Sequence, residues 1–394
     1  MKILMIAPEP FLEPRGTPIS VYQRLRALSG LGYEVDLLTY PLGEEVVIPG
    51  VTIHRTPRLP FVREVKVGPS WAKLFLDLLI IGAAIRLLMT TRYDVIHAHE
   101  EAAFFSAALA RLFGVGHLYD MHSSLPRQLE NFAFGNSRPI IRLFEALERW
   151  TLRTCDAVIT ISRDLAEHIK RINPAVHLAV MENLPIQTFG ASPDQREVAE
   201  LRERLRLDGK LPIVYTGTFE RYQGLDLLIE SAEIVIHHHP QAFFLLVGGK
   251  PHQIEYWKNE ARKRHLENHT FFASTVRVEE VLCYMEVADV LVSPRTDGTA
   301  VPLKIYSYLL SGKPVVATGV PSHTEIMTDD TAILVSTTAE AIADGLIKLI
   351  RDADLRRRLG LQAQQLIKQK YTLADYMEKL ARAYEPFCPK RHER

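Results

Sequence analysis

At 394 residues, 47% of them apolar, the chain is too long for one ordinary hydrophobic core, and two domains are expected. Its 47 basic and 47 acidic residues cancel, so no global field recruits nucleic acid or an anionic membrane. Three cysteines, Cys155, Cys283 and Cys388, are far apart and form no CxxC pair, which argues against a disulfide framework or zinc site and fits a reducing, cytoplasmic compartment.

The opening MKILMIAPEP has an apolar run of about five residues that ends at a proline, whereas a secretory core needs roughly 7–15. It reads as a first buried strand at 3–7. A helix over 19–31, closed by Gly32, and a strand at 34–39 follow. A short strand near 51–54 leads to a loop over 55–70 and an apolar helix from Trp71. Asp77 and Arg86 bound the uncharged centre of that helix, well short of the roughly 20 apolar residues of a membrane span. Strands at 94–98 and 116–120, helices at 102–113 and 139–153, a strand at 157–161 before the N-cap Ser162, and a strand at 176–181 complete the half. Repeated βα units of this size predict a parallel, doubly wound sheet.

Between 187 and 210 the buried strands give way to Pro193, Asp194 and the charged run REVAELRERLRL, so the linker is assigned to 188–210. The second half restarts with a strand at 212–216, then a helix at 225–237, a strand at 243–247 and a helix at 256–264. A strand at 270–272, a helix at 278–285 and strands at 289–292, 315–317 and 333–335 follow, the first two flanking a helix at 305–310. Long helices over 339–369 and 373–384 close the chain. The expected organisation is an α/β protein of two Rossmann-like doubly wound domains, 1–187 and 211–372, facing across a cleft, with 373–394 returning to the first.

Two stretches carry the chemistry of the second domain. In 293–318, SPRTDGTAVPLKIYSYLLSGKPVVAT, a strand end, a polar loop, a helix closed by Gly312 and another strand succeed one another. A loop leaving a strand's carboxyl end and feeding a helix start is where anions sit in open parallel sheets, and this one brings Arg295, Asp297 and Lys304 there. In 215–224, YTGTFERYQG, Gly217 lets backbone approach a phosphate. Read alone, that segment is equally a plain βα turn.

Together these stretches resemble family-4 glycosyltransferases, which are retaining enzymes of the GT-B type. The family places a G-x-hydrophobic…KG-hydrophobic-D segment at the first and an EAMA-x-GxPVV helix at the second. The SGKPVVAT ending is intact, and PLKIYSY has the character of a subgroup. The departures are equally specific. Thr218 stands where the family's diphosphate-clamping arginine is usual and Gln223 where its lysine is usual, with Arg221 a neighbouring source of charge. Ser307 replaces the ribose-binding glutamate, and Asp297 or Thr299 falls near the other glutamate. The resemblance implies Lys304 and Arg295 on the donor diphosphate, Gly217 and Thr218 as backbone contacts, and Ser307 near the ribose.

In the first domain, PRGTPIS places Gly16 and Thr17 after the first strand, similar to the family's glycine loop over the donor; a β-turn is the alternative. YDMHSSLP delivers Asp120 and His122 to a strand end, where the family often has a histidine that contacts the donor sugar, and His122 is the candidate catalytic residue. Asn183, after Glu182, matches a strand-end asparagine and reads as a turn residue. His97 and His99 suggest a metal pair, but i and i+2 on a strand lack a third ligand nearby, and a structural role is favoured. His237–His239 reads as a solvated loop, and Glu100-Glu101 as carboxylates drawn to a helix start.

The resemblance implies transfer of a sugar from a nucleotide diphosphate sugar to an acceptor hydroxyl with retention, in cell-surface polysaccharide or glycolipid synthesis. It implies neither a metal nor a resident cofactor: the nucleotide sugar is a co-substrate, and the acceptor is a glycan or lipid-linked. Arg55, Arg58, Arg63 and Lys66 beside the apolar helix suit a lipid headgroup, so peripheral membrane contact through 55–89 is a partner reading, against an ordinary solvated loop. Two alternatives stand: a non-catalytic nucleotide- or glycan-binding relative that partners an active transferase, and another nucleotide-sugar enzyme such as an epimerase or phosphorylase. A dehydrogenase is disfavoured because no G-x-G-x-x-G follows a predicted strand.

Overall fold

The computed structural model describes residues 1–13, 16–60, 62, 65, 71–130, 138–298 and 300–388. Thr299, Arg63 and Lys66 lie outside them. The chain divides into two compact units, Met1–Glu182 with Leu373–Arg394, and Asn183–Thr372. The segment 188–210 contains a helix, Gln195–Arg204, that packs on helix Val278–Glu286 of the second unit.

The first unit holds seven parallel strands: β1 (Lys2–Ala7), β2 (Glu34–Thr39), β3 (Val51–Arg55), β4 (Val95–His99), β5 (Gly116–Met121), β6 (Ala157–Thr160) and β7 (His177–Val180). Their order is β3-β2-β1-β4-β5-β6-β7, so the winding reverses between β1 and β4. The second unit holds β8 (Leu211–Thr216), β9 (Ala242–Gly249), β10 (Thr270–Ser274), β11 (Val290–Ser293), β12 (Val315–Thr318) and β13 (Ile333–Val335), all parallel. There the order is β10-β9-β8-β11-β12-β13, and the reversal lies between β8 and β11. Both are doubly wound, Rossmann-like sheets.

Continuous apolar runs form these strands because helices cover both faces of each sheet. In β8, Ile213 and Tyr215 join one buried cluster with Leu246, Val290 and Val316, while Val214 joins the opposite one with Leu245, Leu291 and Val315. That is the period of two of a strand buried on both sides. Each such aliphatic side chain contributes about 1.5–3 kcal/mol on burial.

Helix boundaries differ from expectation where local chemistry overrides periodicity. The first helix runs Gly16–Gly30 rather than from residue 19, because Pro18 sits in the first turn, where no intrahelical N–H bond is required. The expected single helix over 339–369 is two, Ala339–Arg351 and Ala353–Lys370. Asp352, at φ −118° and ψ 94°, ends one, and its carboxylate accepts from the Leu355 N–H at 2.8 Å to start the next. The last helix, Leu373–Ala383, packs against helix Gly16–Gly30 and β7 of the first unit.

One contact in the second unit is closed to any side chain. A Cβ on Gly360 would lie 1.9 Å from the carbonyl oxygen of Gly312, where Ala353–Lys370 crosses the end of helix Leu303–Leu310. Gly360→Ala is therefore expected to destabilise the second unit by about 1–3 kcal/mol through overpacking. An unchanged denaturant midpoint would refute that packing.

Candidate functional site

The second unit's reversal between β8 and β11 is where an open parallel sheet forms a ligand crevice. The loop after β8, with a 3-10 turn at Arg221–Gln223, lies against the loop after β11: the Thr296 N–H donates to the Tyr222 carbonyl at 2.9 Å. Gly224 makes this approach possible. Its φ is +71°, and a Cβ there would stand 2.0 Å from the Pro294 carbonyl oxygen. Helix Leu225–His238 starts directly from Gly224 and helix Leu303–Leu310 from Pro302, neither with a side-chain cap. Opening amides of both are thus left to an external acceptor.

Cations converge here. The Lys304 ammonium lies 4.0 Å from the Tyr215 ring centroid and donates to Gln223 Oε1 at 3.4 Å. It would be 3.3 Å from a Cβ on Gly217, whose φ is +139°. The Arg295 guanidinium stacks 5.2 Å from the Tyr222 ring and donates through Nε to the Asp297 carbonyl at 2.5 Å. Neither forms an ion pair among the described residues, though the exposed Asp297 carboxylate acts on Arg295 through space. Burial first, and Arg295 second, hold Lys304 well below the usual lysine range, while burial lowers Arg295. Two half-buried cations, with only the exposed Asp297 carboxylate acting on Arg295, form a site whose charge a diphosphate would neutralise.

The other predicted residues of this unit are spread unevenly. Thr218 offers a carbonyl that accepts from the Tyr215 hydroxyl at 2.7 Å. Arg221 is exposed at the rim, and Asp297 is exposed with its carboxylate accepting from the Gly298 N–H at 2.6 Å. Ser307 is buried, and its hydroxyl accepts from the Ile186 N–H at 3.2 Å, leaving its own proton and one lone pair to offer. Sequence reasoning missed His323. Its Nε2 meets Ser293 Oγ at 3.0 Å and its Nδ1 meets the Thr318 carbonyl at 2.8 Å, tying the carboxyl ends of β11 and β12 together. Burial pushes it down to about 4.

In the first unit, Gly16 opens its helix with φ outside the left-handed region and open space at its Cβ, so local geometry does not demand glycine. His122 follows β5 directly. The expectation that His97 and His99 lack a third ligand is corrected. Strand pairing sets His99 beside Asp120, and one acceptor atom of each of His97, His99 and Asp120 falls within 4.8 Å of the others. Asp120 is nonetheless committed elsewhere: its Oδ2 accepts from Arg24 Nε at 2.9 Å and from His97 Nε2 at 3.2 Å. A cation would face the buried guanidinium across a single carboxylate, so the cluster is a structural network rather than a metal centre. The Tyr384 hydroxyl donates to His97 Nδ1 at 2.6 Å, and Arg24 also donates to Tyr376, both tyrosines lying in the chain's last described segment. Burial alone would raise Asp120, but Arg24, His122 and His99 outweigh it and hold the carboxyl well below its usual range.

Glu100, expected as a carboxylate drawn to a helix start, is half-buried. It sits at the carboxyl end of β4 with φ +49°, an uncommon conformation for a non-glycine residue. Ser123 donates to its carboxylate at 3.0 Å, and burial with Glu101 beside it pushes the carboxyl up to about 8. Glu101 itself pairs with Lys73 at 2.7 Å.

The titrations make the first unit acid-sensitive. Burial lowers His97, His99, His117 (to about 3) and His122 (to about 4), so below the usual value of 6.5 the unfolded chain binds protons that the fold excludes. Asp77 and Glu100, held up to about 7 and about 8, act in the opposite sense, since the fold keeps their protons. Histidines outnumber carboxyls by two, so stability is expected to fall by about 3 kcal/mol per pH unit below 6.5. A melting temperature constant from pH 7 to 5 would contradict this.

Comparison with known proteins agrees with this architecture. Residues 15–183 match the family model described as a glycosyl transferase 4-like domain, and residues 197–366 that of glycosyl transferases group 1. A phosphatidyl-myo-inositol mannosyltransferase of Mycobacterium leprae is 22% identical, covering 98% of this chain and 96% of its own. Among solved structures, sucrose-phosphate synthase from Thermosynechococcus elongatus aligns with a TM-score of 0.78 at 20% identity, over 98% of each chain. Anabaena HepE in complex with UDP-glucose aligns with a TM-score of 0.75 at 16% identity, over 97% of this chain and 98% of that one. With both of its sheets doubly wound and each half matched by a glycosyltransferase model, the chain belongs to the family-4 glycosyltransferases of the GT-B fold.

Proposed function

We propose that this glycosyltransferase moves a sugar from a nucleoside diphosphate sugar to an acceptor hydroxyl with retention of anomeric configuration. The observation that carries the reading is the pair Lys304 and Arg295, neither in an ion pair among the described residues, beside two uncapped helix starts. The bond from the anomeric carbon to the diphosphate breaks with its electron pair going to the diphosphate, the acceptor oxygen bonds to that carbon, and the acceptor's proton passes to the departing phosphate oxygen. Lys304, Arg295 and the helix-start amides stabilise the departing charge, a role that needs no metal ion. Gly217 and Thr218 supply backbone contacts, Arg221 charge at the rim, and Asp297 orders the loop. Ser307 reaches the ribose with its remaining proton, Gly16 opens the first-unit loop to the donor, and His122 contacts the sugar.

The acceptor reading is a glycan or a lipid-linked hydroxyl in cell-surface polysaccharide or glycolipid synthesis, made at the inner face of a membrane. Helix Trp71–Thr90 exposes Leu74, Phe75 and Leu78, and helix Arg138–Thr154 exposes Ile140 and Leu143; both pack on helix Ala102–Phe113. Among the described residues, no helix is long and apolar enough to cross a bilayer, so any membrane contact through 55–89 is peripheral. Arg58 is exposed for it, whereas Arg55 is spent on the carbonyls of Leu42 and Glu44 at 2.6 Å each. The mannosyltransferase relative is named for a phosphatidyl-myo-inositol, which supports a lipid-linked acceptor.

Calorimetry of the full chain with UDP, GDP, ADP and their sugars, in chelator, tests the reading. Roughly micromolar binding of one nucleotide is expected. No binding across the set would favour the non-catalytic alternative, which the engagement of Ser307 by Ile186 and the uncharged Thr218 and Gln223 motivate.

A further inference from the structure

We propose that Asp120 is a positioning residue that holds His122 as its Nε2–H tautomer, so that Nδ1 presents a lone pair to a substrate hydroxyl. The hydroxyl-bearing ligand rests on the sugar-transfer reading above; the tautomer does not.

His97 donates from Nε2 to Asp120 Oδ2 and accepts at Nδ1 from Tyr384, so it is neutral and fully used. Arg24 Nε also takes Oδ2, which leaves Asp120 Oδ1 with no well-aligned donor. His122 Nε2 lies 3.4 Å from it. The same Nε2 lies 3.2 Å from His99 Nδ1. If the shared proton sat on His99, the His122 Nε2 lone pair would face a charged carboxylate oxygen inside a buried site. Placed on His122 Nε2, it serves both Oδ1 and His99, and the His99 Nδ1 lone pair then lies 3.8 Å from Oδ2, the oxygen that Arg24 and His97 already supply. His99 Nε2 is buried without a partner in either arrangement, so it does not discriminate between them.

Protonating both nitrogens is opposed by burial and by the Arg24 charge, and His122 is held down to about 4. The remaining ring atom, His122 Nδ1, has no partner among the described residues and is not among the buried orphan atoms, so it keeps access to solvent. An imidazole that can only accept selects a hydroxyl or other donor and discriminates against a carboxylate or phosphate oxygen.

Long-range proton–nitrogen NMR on full-length protein labelled with ¹⁵N-histidine reads the tautomer directly, with His122 assigned by the signal lost in His122→Gln. The expected result is a protonated Nε2 and an unprotonated Nδ1, both unmoved between pH 8 and 5.5. In Asp120→Asn, Arg24 should retain the amide oxygen and the NH₂ should donate to His122 Nε2, inverting the tautomer. A protonated Nδ1 in the wild type, a mixture of tautomers, or titration near 6.5 would overturn the proposal. If Asp120→Asn does not fold, the wild-type spectrum alone decides. Nucleotide calorimetry scores the transfer reading separately, because UDP binding in the second unit does not depend on which nitrogen of His122 carries a proton.

Discussion

Replacing Lys304 with alanine is expected to weaken nucleoside diphosphate binding by roughly 10- to 150-fold while leaving the unliganded protein no less stable. The first half follows from a charge-assisted hydrogen bond to a phosphate oxygen, about 1.5–3 kcal/mol. The second follows from the empty site. There the ammonium is desolvated, is pushed by Arg295, and has only a ring face and one amide oxygen for compensation. Removing it relieves that repulsion, so the melting temperature of the free protein should hold or rise, the usual exchange between stability and function. Lys304→Arg should retain more of the affinity than Lys304→Met. Calorimetry and thermal melts on the same preparations check both halves. A variant that loses stability and keeps nucleotide affinity would make Lys304 a structural residue and move the donor site elsewhere.

Removing Arg24 should be the most damaging single change in the first unit. Arg24 and Asp120 are both fully buried, so Arg24→Met leaves a carboxylate without its strongest partner, a loss of about 3–5 kcal/mol. Three histidines surround that carboxylate, and any of them gains a reason to protonate once the guanidinium is gone. The deficit should therefore be largest near pH 8 and shrink towards pH 6, opposite in direction to the acid sensitivity of the wild type. Asp120→Asn should cost a similar amount with no such recovery, because arginine cannot discard its proton. Denaturant unfolding of both variants at the two pH values distinguishes them. Equal losses at both pH values for Arg24→Met would mean that the histidines do not share the Asp120 charge.

Much of the loop pair that follows β8 and β11 was legible in the sequence. Residues 293–318 announced a strand, a loop, a helix and a strand by composition alone, and Gly312 marked the point where the helix must end. The bonds between those pieces were not legible. Lys304 and Gln223 are separated by 81 positions, and no spacing rule joins them. His323 drew no reading from the sequence, because nothing in its neighbours reveals Ser293 across the sheet. The break at Asp352 was hidden because apolar periodicity continues across it, and a capping carboxylate looks like any surface acid.

The first unit shows the same division most sharply. Asp120 and His122 were visible as a strand end, and His97 and His99 as one face of a strand, since alternation needs only neighbouring residues. Arg24 is 96 positions from Asp120, and Tyr376 is 352 from Arg24. By itself the sequence determined the two doubly wound sheets, the strand ends that carry polar residues and the family, because these depend on local periodicity and turn chemistry. Only the tertiary structure decided which charges meet, that the last helix completes the first unit's buried network, and that Lys304 and Arg295 form no ion pair among the described residues. Those outcomes depend on desolvation and on contacts between remote segments, which the order of residues along a chain does not encode pair by pair.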